Sequence, residues 1–246
     1  MNGFFASAYF ALIEGGASLL QKIYDVLIGG NRYKLLISGL GVTLQVALFA
    51  AIFGTIVGLI LAFMKLGSNT KGIRGILSRI ASAYIDVIRG TPSVVQLLII
   101  YHVVFAGAKN MPAVIIAIIA FTVNSSAYIA EIFRGGILAV EGGQTEAGIS
   151  LGLSGWQTMR YVIIPQAIKN AFPSLANEFI TLLKETAIVG YIAIQDLTKA
   201  GDFIISRTYN GYIPLLTVGV IYFIIVKLLT KGFNYIEGRL RRSDLR

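Results

Sequence analysis

Leu35 to Met64 is a near-unbroken apolar run in which Gln45 is the one strongly polar side chain. A helix needs roughly 20 such residues to cross a bilayer, so this stretch spans with length to spare and must tilt or protrude. The rest of the chain suits the same solvent. Hydrophobic residues make up 56% of the 246 and charged ones 13%, against about 25% charged in an ordinary soluble domain. A chain this apolar has too few polar groups to cover a water-facing surface. The expectation is one all-α integral membrane domain.

Four further spans are predicted: Ile80–Ala106, Ala113–Phe133, Asn170–Ile194 and Tyr212–Leu229. In the second, the apolar part from Val94 onward is too short alone, so the helix must include Ile85 to Gln96 and be kinked by Pro92. Residues 1–31 have neither a charged segment ahead of an apolar core nor a small-residue cleavage site, and read as an interfacial segment rather than a signal peptide. The membrane domain then occupies 32–242. Gly54 and Gly58, four apart in the first span, predict close approach of a neighbouring helix.

Five spans put the termini on opposite sides, which the distribution of charge tests, because Lys and Arg gather in cytoplasmic loops. One side collects Lys65, Lys71, Arg74 and Arg79, then Arg134, Arg160 and Lys169, then Lys227, Lys231, Arg239, Arg241, Arg242 and Arg246. The other holds Lys22, Arg32, Lys34, Lys109, Lys199 and Arg207, interspersed with Asp25, Asp196 and Asp202. The predicted orientation is N-terminus out and C-terminus in. This asymmetry also accounts for the net charge of +9 without a nucleic-acid partner.

Two predicted spans carry polar stripes. Residues three, four and seven apart share a helix face. Asn124, Tyr128 and Glu131, flanked by Ser125, fall so in the third span; Glu178, Thr181 and Glu185, with Asn177 and Lys184 alongside, fall so in the fourth. Ionisable groups inside a membrane are costly and mark function by default. The competing reading is interhelical glue, with Lys184 pairing Glu185 or a neighbouring helix. Two stripes mixing carboxylate, amide and hydroxyl suit a small zwitterionic solute, since a carboxylate holds an ammonium or guanidinium and Asn or Ser holds a carboxylate. Asp86 and Arg89, three apart, are expected to form a structural pair, and His102 is given no role.

Catalysis has no visible basis. The chain has no Cys and one His, which excludes disulfides, thiolate or His-cluster metal sites and a Cys nucleophile. It contains no GxSxG elbow and no phosphate-cradling glycine loop. No catalytic residue, metal or cofactor is expected.

The stretch from Glu141 to Pro165, EGGQTEAGISLGLSGWQTMRYVIIP, is too polar to span and is patterned as a short surface helix. Glu146, Ala147, Ser150 and Leu151 sit at helical spacings, the acid near the helix start suits the macrodipole, and Gly152 is placed to end the helix in a left-handed turn. The loop resembles the signature of permease subunits of ATP-binding-cassette importers: EAA, three residues, G, nine residues, I-x-L-P. Glu146 and Ala147 match, Gly148 stands for the second Ala, and Gly152, Val162, Ile164 and Pro165 complete the spacing. IRGTP at Ile88–Pro92, AYIAEIFRGG at Ala127–Gly136, PQAIKN at Pro165–Asn170 and NEFI at Asn177–Ile180 are similar to the polar amino acid branch of that family.

The resemblance implies a type I importer permease in the bacterial inner membrane, paired as a homodimer or heterodimer. Two cytoplasmic ATPase subunits would bind Mg-ATP, and an extracytoplasmic binding protein would deliver the amino acid. The helix around Gln144 to Leu153, with Glu146, Ala147, Ser150 and Gly152, would dock on the ATPase and drive alternating access. The solute site would lie between spans three and four, with Asn124, Ser125 and Glu178 foremost and Tyr128, Glu131, Asn177, Thr181 and Glu185 around them. Two acids in one stripe favour a cationic amino acid; Lys184 beside them keeps glutamine or another neutral polar amino acid open. A secondary transporter, with Glu178 or Glu185 exchanging protons, is the competing class, and it has no use for the signature loop.

Overall fold

The computed structural model describes residues 18–66, 72–108 and 110–242, with side chains to residue 240. Residues 1–17 of the interfacial segment and the basic residues Lys71, Lys109 and Arg246 lie outside the described residues, as do the side chains of Arg241 and Arg242. All regular structure among the described residues is helical. After a short helical stretch that ends in turns at Tyr24–Ile28 and Gly29–Asn31, the elements are α1 (Tyr33–Leu66), α2 (Ile73–Arg89), α3 (Ser93–Ile99), α4 (Ala113–Leu138), α5 (Gly142–Ser150), α6 (Gly155–Thr158), α7 (Ile164–Glu185), α8 (Leu197–Thr208) and α9 (Tyr212–Arg242).

Helices α1, α4 and α9 are long and apolar enough to cross a membrane, and the bent pair α2–α3, continued by a π turn at Ile100–Val104, is so only when its two halves are counted together. The fourth predicted span corresponds to α7, which begins at Ile164 and stops at Glu185, where a 3-10 segment, Thr186–Ile192, takes over. Its 22 residues reach about 33 Å at 1.5 Å per residue. Lys169, Asn177, Glu178, Lys184 and Glu185 leave it too polar to count as a span by composition.

The core is built on close approach. Helix α1 packs along α4, and a Cβ on Gly54 would collide with the Ser125 hydroxyl, while one on Gly58 would stand 2.8 Å from Ile129. The predicted packing role of these two glycines is what the structure has. Gly136 does the same between α4 and α7, where an added Cβ would lie 2.7 Å from the Ala167 carbonyl oxygen. Small side chains then fill the seams: Ala50, Ala117 and Ala120 are buried beside Val46, Leu97, Phe121 and Leu182, and Ala127 and Ala130 beside Ile85, Ile129 and Ala171. Van der Waals packing of this kind holds helices together where the surrounding lipid removes the usual hydrophobic drive. The opposite face of α1, with Ile52, Phe53, Ile56 and Ile60, is exposed and apolar.

The second predicted span differs most from expectation. Pro92 does not kink a helix running through Ile85–Gln96; the helix breaks, and α2 meets α3 at 107°. Pro92 has no N–H to donate and drives Thr91 out of the helical region. The carbonyl groups stranded at the end of α2 find donors locally. Gly90 N donates to Asp86 O at 2.9 Å, the Thr91 hydroxyl donates to Val87 O at 2.9 Å, and Gln96 Nε2 reaches Ile88 O at 2.7 Å and Thr91 O at 3.1 Å. Non-helical backbone at membrane depth survives only where protein satisfies it, and Gln96, 7% exposed, does that here.

The expected surface helix forms as α5, which starts two residues before Gln144 and ends three before Leu153. The Leu153 N–H donates to Gly148 O at 3.1 Å and the Gly152 N–H to Ile149 O at 2.9 Å, with Gly152 at φ 80. This is a Schellman termination and the left-handed turn expected of Gly152. Glu146, however, lies in the middle of α5 rather than near its start, so it gains little from the macrodipole. Gly148 is the one buried residue of α5; its hydrogen faces Thr158, whose Cγ2 would be 2.6 Å from an added Cβ. Ser154 and Gln157 then form a capping box that starts α6, and a π turn at Met159–Ile163 leads into α7.

Candidate functional site: a polar cleft between α2, α4 and α7

A cleft of about 690 Å³ opens where the end of α2 meets α4 and α7. Its polar lining is Arg89 from α2, Tyr128 and Glu131 from α4, and Asn170, Ser174, Asn177 and Glu178 from α7. Helical spacing explains the last four, since residues 170, 174, 177 and 178 repeat at four and three and share one face. Pro173 lies on that face without ending the helix.

The charges are not equivalent. Glu131 is neutralised on both sides: its Oε1 accepts from Lys65 Nζ at 2.6 Å, and its Oε2 from Arg134 Nη2 at 2.7 Å. It ties the end of α1 to α4. Arg89 stacks its guanidinium 5.5 Å from the centre of the Tyr128 ring, a cation–π contact. No ion pair joins Asp86 to Arg89 among the described residues, so the predicted structural pair gives way to a contact with Tyr128, and Arg89 lines the cleft. Glu178 makes no hydrogen bond or ion pair among the described residues and lies within electrostatic reach of Arg89 and Glu185. It also borders a second, apolar cavity of about 380 Å³ lined by Leu48, Ile52, Phe172, Phe179 and Phe233. One cleft thus presents a guanidinium, a free carboxylate, two amides and a hydroxyl beside an apolar chamber.

Of the eight intramembrane residues singled out from sequence, Tyr128, Glu131, Asn177 and Glu178 line this cleft. Asn124 and Ser125 lie elsewhere. Asn124, 4% exposed, donates from Nδ2 to Gln96 Oε1 at 2.9 Å, and Ser125, fully buried against α1, donates to Ala50 O at 3.4 Å. Thr181 and Glu185 continue the α7 stripe, half-buried, beyond the cleft. Asn170 and Ser174 are not among the expected site residues, and Arg89 is expected only as a structural partner of Asp86. The α7 pair was within reach of the sequence, because the stripe of Asn177 extends one turn back to Ser174 and another to Asn170. The sequence spacing pairs Arg89 with Asp86, whereas the structure places it over Tyr128 at the cleft.

On the loop, Gln144, Glu146, Ala147, Ser150 and Gly152 are exposed and Leu153 is half-buried. Gln144 Oε1 accepts from Gln166 Nε2 at 3.3 Å, so the exposed helix α5 is tied to the start of α7.

Apolar helices around a polar cleft, with a capped surface helix joined to a cleft-lining helix, describe the membrane component of a transporter. Residues 54–242 match the family described as binding-protein-dependent transport system inner membrane component, and the chain belongs to that family. It is a multi-pass protein of the bacterial inner membrane. It is 36% identical over 214 residues to the arginine transport system permease protein of Bacillus subtilis, covering 85% of this chain and 94% of that one. It is 34% identical over 209 residues to the glutamine transport system permease protein of Escherichia coli K12, covering 84% and 93%. Among solved structures, a crystal structure of an amino acid ABC transporter with histidines superposes with a TM-score of 0.80 at 45% identity, covering 87% of this chain and 98% of that one. An inward-facing methionine ABC transporter, at 24% identity and a TM-score of 0.71, shares the fold.

Proposed function

We propose that this chain is the translocation subunit of an ATP-driven importer for a polar amino acid, working by alternating access. The observation that carries this reading is the cleft with Arg89 and Glu178 as its two available charges. An amino acid presents a carboxylate and an ammonium, and a guanidinium held over the Tyr128 ring can take the carboxylate by paired N–H donors. Glu178 takes the ammonium, or the cationic end of a side chain, while Asn170, Ser174 and Asn177 exchange hydrogen bonds with polar atoms in passage. Arginine and glutamine are what the printed names of the two relatives assign to them, and a cationic solute is the choice favoured by an unpaired carboxylate. Asn124 and Ser125 act through packing in this reading.

The remaining parts follow the same proposal. The chain crosses the membrane five times, with the α2–α3 pair and α7 each counted once, N-terminus out and C-terminus in. It pairs with a second permease, itself or a sister. ATP and Mg²⁺ belong to a separate cytoplasmic ATPase that docks on Gln144, Glu146, Ala147, Ser150, Gly152 and Leu153, and an extracytoplasmic binding protein supplies the solute. The test is uptake into proteoliposomes holding the permease, its ATPase and its binding protein. ATP-dependent uptake of labelled arginine should fall at least tenfold in Glu178→Gln and that of glutamine much less. Equal loss for both solutes overturns the cationic assignment, and uptake indifferent to ATP overturns the importer.

A further inference from the structure

We propose that the groove between the end of α1, the start of α2 and α6 is a binding site for an anionic phospholipid. The groove encloses about 620 Å³. Ile60, Phe63 and Met64 of α1 and Leu77 of α2 form an apolar floor, with Arg74 and Trp156 at the rim. The site continues a surface already exposed to lipid, because Ile52, Ile56, Ile60 and Phe63 are exposed at helical spacing along one face of α1 and lead into it. An acyl chain lying on that face enters the groove without leaving an apolar surface.

The headgroup end is chemically specific. Lys65 and Arg134 are committed to Glu131 and Arg160 lies over the Tyr161 ring, while Arg79, also exposed, does not line the groove. Arg74 is exposed and makes no hydrogen bond, ion pair or ring contact among the described residues, so its donors are available to a phosphate. Trp156, 66% exposed, is the amphipathic ring that settles at headgroup depth. A free phosphate has no use for the apolar floor, whereas a lipid uses both parts. Anionic lipid is attracted to juxtamembrane basic residues by about 1 kcal/mol each, which corresponds to a preference of about fivefold over a zwitterionic lipid.

Trp156 is the chain's single tryptophan and reports on its own site. The full-length chain is reconstituted in phosphatidylcholine bilayers containing increasing fractions of either dibrominated phosphatidylglycerol or dibrominated phosphatidylcholine, and bromine quenching of Trp156 is measured. The expected result is quenching by both lipids, with phosphatidylglycerol about fivefold more effective. Arg74→Gln should bring the ratio to about one without reducing quenching by phosphatidylcholine, Arg74→Lys should retain most of it, and Arg79→Gln, outside the groove, should leave it unchanged. A ratio near one in the wild type, a ratio that survives Arg74→Gln, or the absence of quenching by either lipid overturns the proposal. These readouts need no ATPase and no solute, so they stand or fall apart from the transport reading.

Discussion

The hydrogen bond between Asn124 and Gln96 separates a residue that touches solute from one that holds the bundle together. Replacing Asn124 by Ala removes the donor to Gln96 Oε1. The bond itself contributes about 0.6 kcal/mol on the scale of measured transmembrane hydrogen bonds. The acceptor left behind is 7% exposed, and an orphaned buried polar group adds about 1–3 kcal/mol. A total near 2 kcal/mol shifts the melting midpoint by about 4–8 °C if a chain this size follows soluble domains of similar length. Thermal unfolding of the detergent-solubilised protein, followed by size-exclusion chromatography, reads this directly. Gln96→Leu should cost more, since Ile88 O and Thr91 O at the α2–α3 bend lose their donor as well. In the double variant most of the Asn124→Ala penalty should vanish, because no acceptor remains to be orphaned. Transport assays should give an unchanged KM. A KM raised tenfold with an unshifted midpoint would refute the structural assignment and return Asn124 to the solute pathway.

Gly54→Ala should destabilise by about 1–3 kcal/mol through overpacking against Ser125, and Ser125→Ala in the same chain should recover most of it in the same melting assay. Gly148→Ala should disorder the α5–α6 turn by driving a methyl into Thr158. Limited proteolysis between residues 150 and 158 should accelerate, and Thr158→Ala should slow it again. Asp196, on the loop before α8, has its carboxyl raised above the usual range by burial despite the bonds it accepts from Thr198 N and Lys199 N. The folded state therefore binds that proton more tightly than the unfolded chain. The stability this contributes is present below the ordinary carboxylate range and is lost as pH rises through the raised value. Asp196→Asn keeps the cap without the buried charge, so it should melt higher than the wild type at pH 7, with the advantage shrinking as pH falls.

Much of this architecture is legible because lipid leaves few choices. The run from Leu35 to Met64 has one viable state, and α1 extends it by only two residues at each end. The loop helix was legible for a different reason: Gly152 and Pro165 are punctuation, and the backbone obeys it locally. What was not legible depends on contacts between distant segments. Nothing around Pro92 distinguishes a kink from a 107° break until Gln96 and Asn124 are seen to close the bond network from another helix. The same holds for the stripe on α4. Its period correctly places Tyr128 and Glu131 on one face, but whether Asn124 meets solute or Gln96 depends on where α3 turns. Polar residues in a span announce that they need partners; the sequence does not say whether the partner is a helix or a cargo.

The cleft and the surface helix are connected by covalent structure that transmits displacement. From Ser154 the capping box, α6 and the Met159–Ile163 turn run without a flexible break into α7, and Gln166 also bonds Gln144 on α5. From Pro165 to Glu178 the chain is continuous helix, about 20 Å at 1.5 Å per residue. In the proposed importer, a partner that tilted α5 would tilt with it the helix bearing Asn170, Ser174, Asn177 and Glu178. Arg89 and Tyr128 face them from α2 and α4, which are pinned together by Tyr84, whose hydroxyl donates to Val123 O at 2.8 Å. Motion of α7 against that pair changes the separation of Arg89 and Glu178, the two charges that would hold opposite ends of an amino acid. In the proposed importer, moving this one helix would loosen both grips at once and so link an event at the loop to release in the cleft without requiring either site to deform.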